Sequence, residues 1–228
     1  MSSYLVLQDR IADEVRPGSA SAAASGIEAI IQREILSAIK HYERERFYFN
    51  TRITDTFALV VDQEYYGSAA LAAIPNLIAI DDMYVTLDSV RYHVTPAPFD
   101  EIAAAQTGSA KSDPPYRYAI YAQQIRFYPI PSAVRTVTMA DHYRLTTLSA
   151  GSDSNAWTTD AEELIRNRAE SVIWARILRE VEQAAVSKTA EMEALAILHR
   201  ETRKRRNMRV LQMPPELRGA PVYDIRTG

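Results

Sequence analysis

Residues 116–139 read Tyr116-Arg117-Tyr118-Ala119-Ile120-Tyr121-Ala122-Gln123-Gln124-Ile125-Arg126-Phe127-Tyr128-Pro129-Ile130-Pro131-Ser132-Ala133-Val134-Arg135-Thr136-Val137-Thr138-Met139. The first six alternate large apolar side chains with smaller or polar ones, the period-two pattern of a half-buried strand. Ala122-Gln123-Gln124 supplies a polar turn, and Ile125-Arg126-Phe127-Tyr128 returns antiparallel. Pro129 and Pro131 stop the return strand, since neither can donate to a sheet ladder. Alternation resumes over residues 134–139 and runs towards His142-Tyr143-Arg144-Leu145. Residues 114–157 are therefore expected to form a tight β-meander.

Towards the N-terminus, strand composition recurs at residues 56–61, 83–87 and 90–94, with Asp88-Ser89 as a hairpin turn between the last two. Residues 97–106 fit a short helix, with Asp100-Glu101 near the end where the dipole favours anions. Residues 107–115, with Gly108, Ser109, Ser112, Asp113 and two prolines, read as a loop. Helices precede the strands. Tyr4, Leu7, Ile11 and Val15 share one face of a first helix that Pro17-Gly18 ends. Residues 19–25, all Ser and Ala, suit a loop or a close-packed helix entry. Ile27, Ile30, Ile31, Ile35, Ala38, Ile39 and Tyr42 form the apolar stripe of a second helix, which ends near Glu45 where Phe47-Tyr48-Phe49 takes over.

On the C-terminal side, Thr159-Asp160-Ala161-Glu162 has the pattern of a capping box. Ile165, Ala169, Val172, Ile173, Ile177 and Val181 then mark one helical face. Neither Gly nor Pro occurs over residues 158–213, so helical composition continues to about Met208. An unbroken rod of that length would span roughly 75 Å at ~1.5 Å per residue. A break near Ala185-Val186-Ser187, giving two antiparallel helices, is preferred. Pro214-Pro215 then forces an extended tail to Gly228.

The elements together predict an α+β chain, mainly α, in which a helical bundle from the N-terminal and C-terminal helices carries an inserted antiparallel β-region and an extended C-terminal tail. The expected division is 1–50 for the N-terminal helices and 51–157 for the β-rich insert. The C-terminal helices then occupy 158–208 and a docking tail 209–228. A β insert between helices points to an assembly component more than to a catalyst.

Composition narrows the classes. At 228 residues with 47% apolar content, the chain has material for one good-sized domain or two small ones, each with a packed core. It holds no cysteine, which excludes disulfides, thiolate metal sites and Cys nucleophiles and fits synthesis in a reducing compartment. No apolar run approaches the ~20 residues of a membrane helix, and Met1-Ser2-Ser3-Tyr4 lacks a signal-peptide layout. Synthesis in the cytoplasm and no membrane partner are expected. The net charge of −3 hides an asymmetry: residues 1–199 carry 18 Lys/Arg against 26 Asp/Glu, and residues 200–228 carry 8 against 3. An acidic body with a basic end implies two different neighbours, or one negative neighbour at that end.

Catalytic constellations are hard to find. His41, His93, His142 and His199 stand far apart with no partner at helical spacing, so packing or surface roles are expected and no metal is assigned. Asp81-Asp82 with Asp88 lacks the central Gly and following Glu of a calcium loop. Gly67-Ser68 and Gly108-Ser109 lack the surroundings of a nucleophile elbow, and no Gly-rich run precedes a Lys as a phosphate cradle needs. No catalytic residue and no cofactor is assigned.

The main polar signal is basic. Arg200, Arg203, Lys204, Arg205, Arg206 and Arg209 fall within ten residues, opposed only by Glu201. Cations at a helix C-terminus gain roughly 0.3–1 kcal/mol each from the dipole, a reason for two or three of them but not six. The excess points to an acidic partner surface or to nucleic acid. Aromatic side chains are missing between these cations, which weakens base stacking, and arginine suits bidentate pairing with carboxylates as well as phosphates. The segment beyond has two readings, a frayed terminus or a segment that lies in a partner's groove; Leu211, Met213, Leu217, Val222, Tyr223 and Ile225 are unusually apolar for a free end and suit the second.

Taken in order, the pieces resemble the head-to-tail adaptor (tail accessory factor) proteins of short-tailed bacteriophages. Residues 35–50, with Ala38-Ile39, Tyr42 and Glu45-Arg46-Phe47-Tyr48-Phe49-Asn50, look like the family's helix end with its aromatic exit. Ala73-Ile74-Pro75 followed by Ile80-Asp81-Asp82-Met83 is similar to its entry into a strand after a proline. Residues 115–131, with Tyr116, Tyr118 and Tyr128-Pro129-Ile130-Pro131, resemble its central hairpin. Leu148-Ser149 through Asn155-Ala156-Trp157 and Leu164-Ile165 is similar to the lead into its C-terminal helices. The run at 19–25 and the tail fall outside the pattern.

The resemblance implies a structural virion protein at the head–tail junction. It would form a ring, twelve copies matching the portal's symmetry, between the portal protein and downstream nozzle, hub or fibre proteins of the tail. Genomic DNA would pass through its channel without sequence-specific binding, and the ring would stabilise the packaged head. The expected portal-binding residues are Arg203, Lys204, Arg205, Arg206, Arg209, Leu211, Met213, Leu217, Tyr223 and Ile225. The alternative is a nucleic-acid-binding protein acting through the basic C-terminal helix.

Overall fold

Ser3 begins the first helix by accepting the Val6 N–H on its hydroxyl, and α1 (Tyr4–Val15) follows with the expected bounds. Its four predicted face residues are all buried. The computed structural model describes residues 2–18, 21–67, 76–106, 110–122 and 124–206. The Ser/Ala run contributes one turn of helix, α2 (Ala22–Ser25), capped by the Ser21 side chain. α3 (Glu28–Tyr42) buries Ile31, Ile35, Ala38 and Tyr42, as its stripe requires.

The β-region comprises β1 (Thr51–Ala58), β2 (Tyr65–Tyr66), β3 (Leu77–Leu87), β4 (Val90–His93), β5 (Thr95–Pro96), the short α4 (Phe99–Ala105), β6 (Lys111–Ser112), β7 (Arg117–Tyr121), β8 (Gln124–Tyr128), β9 (Ile130–Pro131) and β10 (Thr136–Tyr143). Asp88 and Ser89 both take positive φ, 49° and 67°, and close the predicted hairpin with Leu87 opposite Val90. β1 and β3 extend further towards the N-terminus than their composition indicated. The added residues include Arg52, Asp55, Asp81 and Asp82, which look like loop residues until the fold pairs them: Arg52 reaches Asp55 at 2.8 Å and the fully buried Asp141 of β10 at 3.0 Å.

The meander does not form as one sheet. β7 and β8 make the expected antiparallel hairpin, in a sheet of order β2-β8-β7-β5. β10 instead leaves it and becomes an inner strand of a second sheet, order β1-β10-β3-β4. Without N–H groups at Pro129 and Pro131 the ladder cannot continue. The intervening residues pair in parallel with β6, through Ile130 N–H to Ala110 and Ser132 N–H to Ser112. Arg135 then clamps Asp113, with its closest contact at 2.7 Å. Both sheets feed one apolar core. Phe57, Met83, Val85, Val137 and Met139 meet Tyr66, Tyr118, Ile125 and Phe127 there.

After the sheets come α5 (Ala156–Thr159), α6 (Glu162–Ile173), a π-helical turn at Trp174–Leu178 and α7 (Val181–Arg206). The predicted capping box is displaced. Asn155 and Thr158 form it at the start of α5, while Ala161, the N-cap of α6, supplies no side-chain cap. Thr159 is unavailable because its hydroxyl already bonds the Asn155 carbonyl and Asp160. The break between the last helices falls at Arg179 (φ 60°, ψ 30°), ahead of Ala185, so Ile177 and Val181 leave the buried face. A left-handed residue other than Gly is uncommon, which is why a chain without Gly or Pro here hides the turn. α6 and α7 run antiparallel as expected, Arg168 meeting Glu191 while Leu164 lies near Ala194 and Leu198. Residues from α1, α3, α6 and α7 share a second apolar core with Phe47 and Trp157.

One polar contact inside the helices sets a pH dependence. Glu170 on α6 is buried beside Glu14 of α1 and Arg166. Burial pushes its carboxyl up to about 9, and the hydrogen bond to the Glu14 carboxylate adds to the rise against the Arg166 charge. Between an unfolded value of 4.5 and that level the native state holds a proton the unfolded chain lacks, so stability declines as pH rises through this window. Glu170→Gln, which keeps a neutral side chain, should stabilise the protein by about 1–3 kcal/mol at pH 8 and by less at pH 5. Urea unfolding at both pH values measures it, and an equal change at the two would show that Glu170 is not the titrating group.

Candidate docking surface

α7 is held by a narrow stripe. Ser187, Glu191, Ala194, Leu198 and Thr202 are its buried residues, spaced by three and four as one helical face requires. The outward side is unusually apolar, with Val181 77%, Val186 65% and Met192 63% exposed. Inside the stripe, Glu191 accepts from the Tyr42 hydroxyl of α3, from Lys188 at 2.9 Å and from Arg168 of α6 at 3.3 Å. Burial alone would raise that carboxyl, but these three donors outweigh it and leave it below the ordinary range. The Tyr42 hydroxyl is pushed well above its ordinary value by burial and then by Glu191. A buried carboxylate thus ties three helices together.

The end of α7 rests on the aromatic exit of α3. His199 stacks on Phe47 at 5.5 Å and reaches Glu45 at 3.2 Å. Phe47 and Phe49 each meet the Trp157 ring edge-on, at 5.8 and 5.1 Å. Thr202 accepts the Tyr48 N–H at 3.3 Å, and the Arg205 guanidinium lies 3.7 Å from the centre of the Tyr48 ring. The Tyr48 hydroxyl donates to Asp160 at 2.7 Å; burial first, then this bond, pushes its pKa up to about 12.

Against this frame the predicted basic residues divide. Arg205 is occupied by Tyr48, whereas Arg200, Arg203 and Lys204 are exposed with no acidic partner in ion-pair range among the described residues. Arg206 ends α7. Arg209, Leu211, Met213, Leu217, Val222, Tyr223 and Ile225 lie outside the described residues. Arg44 is exposed at the exit of α3, next to Glu45, which His199 of α7 engages. An aromatic triplet between a helix and a strand was the available signal that some element must cover it. The histidines stay apart, His93 beside Asp82 and His142 beside Asn50. Among the described residues no three acidic or imidazole groups are grouped to hold a metal, and no helix is long and apolar enough to cross a membrane.

Among the described residues, buried Glu191 ties helices together through Arg168 and Lys188, and exposed cations without acidic partners gather at the end of α7. The chain belongs to the SU10 adaptor protein family, whose model matches residues 2–214. That span takes in all four stretches carrying the likeness to phage head-to-tail adaptors, and the chain is accordingly a phage structural adaptor. No curated protein matches it.

Tyr48→Ala removes the Arg205 contact and the Asp160 bond together. It should cost about 1–2 kcal/mol and speed amide exchange in the last two turns of α7 while leaving β1–β10 protected. Hydrogen-exchange mass spectrometry tests this, and unchanged protection at the α7 end would disprove the clamp.

Proposed function

We propose that this protein is a head-to-tail adaptor that forms a ring of twelve copies, matching the portal's symmetry, between the portal protein and the tail's nozzle, hub or fibre proteins. Family membership over residues 2–214 is the observation that carries the reading. The helices shared by both chain ends form the body of the ring, arranged as a bundle around the DNA channel. An acidic body supports passage of genomic DNA, because like charge discourages sticking. Portal docking falls to the cationic end of α7 and the apolar residues after it, Leu211, Met213, Leu217, Tyr223 and Ile225. The unpaired charges on Arg203 and Lys204 support this, since free cations remain available to partner carboxylates.

A second reading, nucleic-acid binding through the basic helix, draws on the same cations. It is weakened by Arg205, whose guanidinium already lies over the Tyr48 ring and competes with a stacking base there. It requires DNA affinity that falls steeply with added salt, so absent or salt-independent binding eliminates it.

Mixed with its portal at near-physiological salt, the purified chain should give ring-capped particles by negative-stain microscopy. Deleting residues 208–228 should abolish attachment with the thermal transition retained. Normal attachment by the truncated chain would refute the docking role of the tail.

A further inference from the structure

The sheet of order β1-β10-β3-β4 ends in two edges, β1 and β4. Along an antiparallel strand, residues alternate between exchanging both backbone bonds with the neighbour and pointing both groups away from it. Leu59 donates its N–H to the Arg135 carbonyl, so Phe57 and Asp55 also face β10, while Thr56 and Ala58 turn N–H and C=O outward. Val94 donates to the Met83 carbonyl, so Tyr92 and Val90 face β3, while Arg91 and His93 turn outward. Among the described residues no backbone bond reaches Thr56, Ala58, Arg91 or His93 from the outer side, and all of them are exposed.

Over residues 55–58 and 90–93 neither edge carries the Pro or the outward Lys that commonly blunts one. The bulge of β1 lies ahead of the first stretch, over residues 53–54. The charged side chains of β4 are drawn back over their own sheet, Arg91 above the Tyr84 ring at 4.8 Å and His93 against Asp82 at 3.2 Å. Val90 and Tyr92 share the sheet face of the core residue Val85, yet they are 52% and 41% exposed. An apolar face thus runs off the sheet at β4 with nothing from the described residues over it.

We propose that copies of this chain join by continuing this sheet, β4 of one copy pairing antiparallel with β1 of the next, His93 opposite Thr56 and Arg91 opposite Ala58. The inference rests on the ring reading and names the surfaces that build it. A second copy fits because the two edges complete each other. Three antiparallel pairings separate β1 from β4, so the strands run in opposite directions and the alternation carries on from copy to copy. Thr56, Thr138, Tyr84 and His93 already stand in one row across the sheet. Joining His93 to Thr56 of the next copy extends that row and keeps every side chain on its own face. In this register Tyr92 meets Phe57 and Val90 meets Leu59, which covers both exposed apolar side chains. The two edges differ, so the contact is heterologous, the kind that propagates around a ring. No residue in it belongs to the portal-facing end of α7.

Thr56→Pro in the full-length chain, mixed with its portal, tests this. The proline removes an N–H that faces away from β10, a position where an edge strand tolerates it. The variant should keep the wild-type melting transition and portal capture through the tail, and lower ring yield at least about tenfold. Wild-type ring yield overturns the interface and leaves the ring standing. No rings from the wild type overturns both. Should the proline unfold the chain, Ala58→Cys with Arg91→Cys in this cysteine-free protein gives a second measurement. The Cα atoms of a bonded antiparallel pair stand about 5.5 Å apart, within reach of a disulfide. Mild oxidation of that variant on the portal should yield a ladder of linked multimers beyond the dimer, which neither single-cysteine chain can form. Monomer alone, or a ladder that stops at the dimer as β1 against β1 would give, overturns the pairing.

Discussion

Where α3 hands the chain to β1, a buried polar side chain has to find partners on both sides of the joint or the joint cannot be dry. Asn50 meets that constraint. Its side-chain oxygen accepts the Phe47 N–H at 2.8 Å, and its amide donates to the Glu45 carbonyl at 2.8 Å and to His142 Nε2 at 3.0 Å. Its own carbonyl accepts the Tyr143 N–H at 3.1 Å. Four bonds from one residue fix the end of a helix to the end of β10, and both apolar cores are placed relative to each other by that link. An accepting Nε2 requires neutral imidazole, and burial, followed by the Arg46 charge, holds the His142 pKa below its ordinary value.

The same economy recurs wherever charge is buried. Glu191 joins α3, α6 and α7, and Asp141 joins Arg52 across two strands, so these buried charges are also connectors between elements. Such pairs add little net stability against an apolar core of equal volume, but removing one partner strands the other and is costly. Elements joined this way resist sliding past one another. An adaptor, which has to present one surface to each neighbour, gains from that rigidity more than from extra apolar burial.

Much of the fold could be read from residues alone where the pattern was local. α1 and α3 fall where their apolar stripes lie, the Asp88-Ser89 hairpin closes on its two turn residues, and β7 pairs with β8 across Ala122 and its neighbours. The misreadings share one cause. The partners of β10, the charged ends of β1 and β3, the capping box at Asn155 and the left-handed Arg179 all depend on residues distant in sequence or on a backbone conformation that no local residue type announces. The basic cluster was legible as composition. That Arg205 is consumed by Tyr48 was not, because it follows from how α7 crosses the exit of α3.

The amino-acid order by itself determined the alternation of helical and strand segments, the absence of thiol chemistry and the acidic body with its basic end, since periodicity and charge are properties of short windows. Tertiary structure alone decided which strands share a sheet, where the last helices separate and which cations remain free. Those outcomes turn on long-range pairing of buried polar groups, Asn50 with His142 and Glu191 with Tyr42 and Arg168, whose energetic demand exists only once the chain has closed around them.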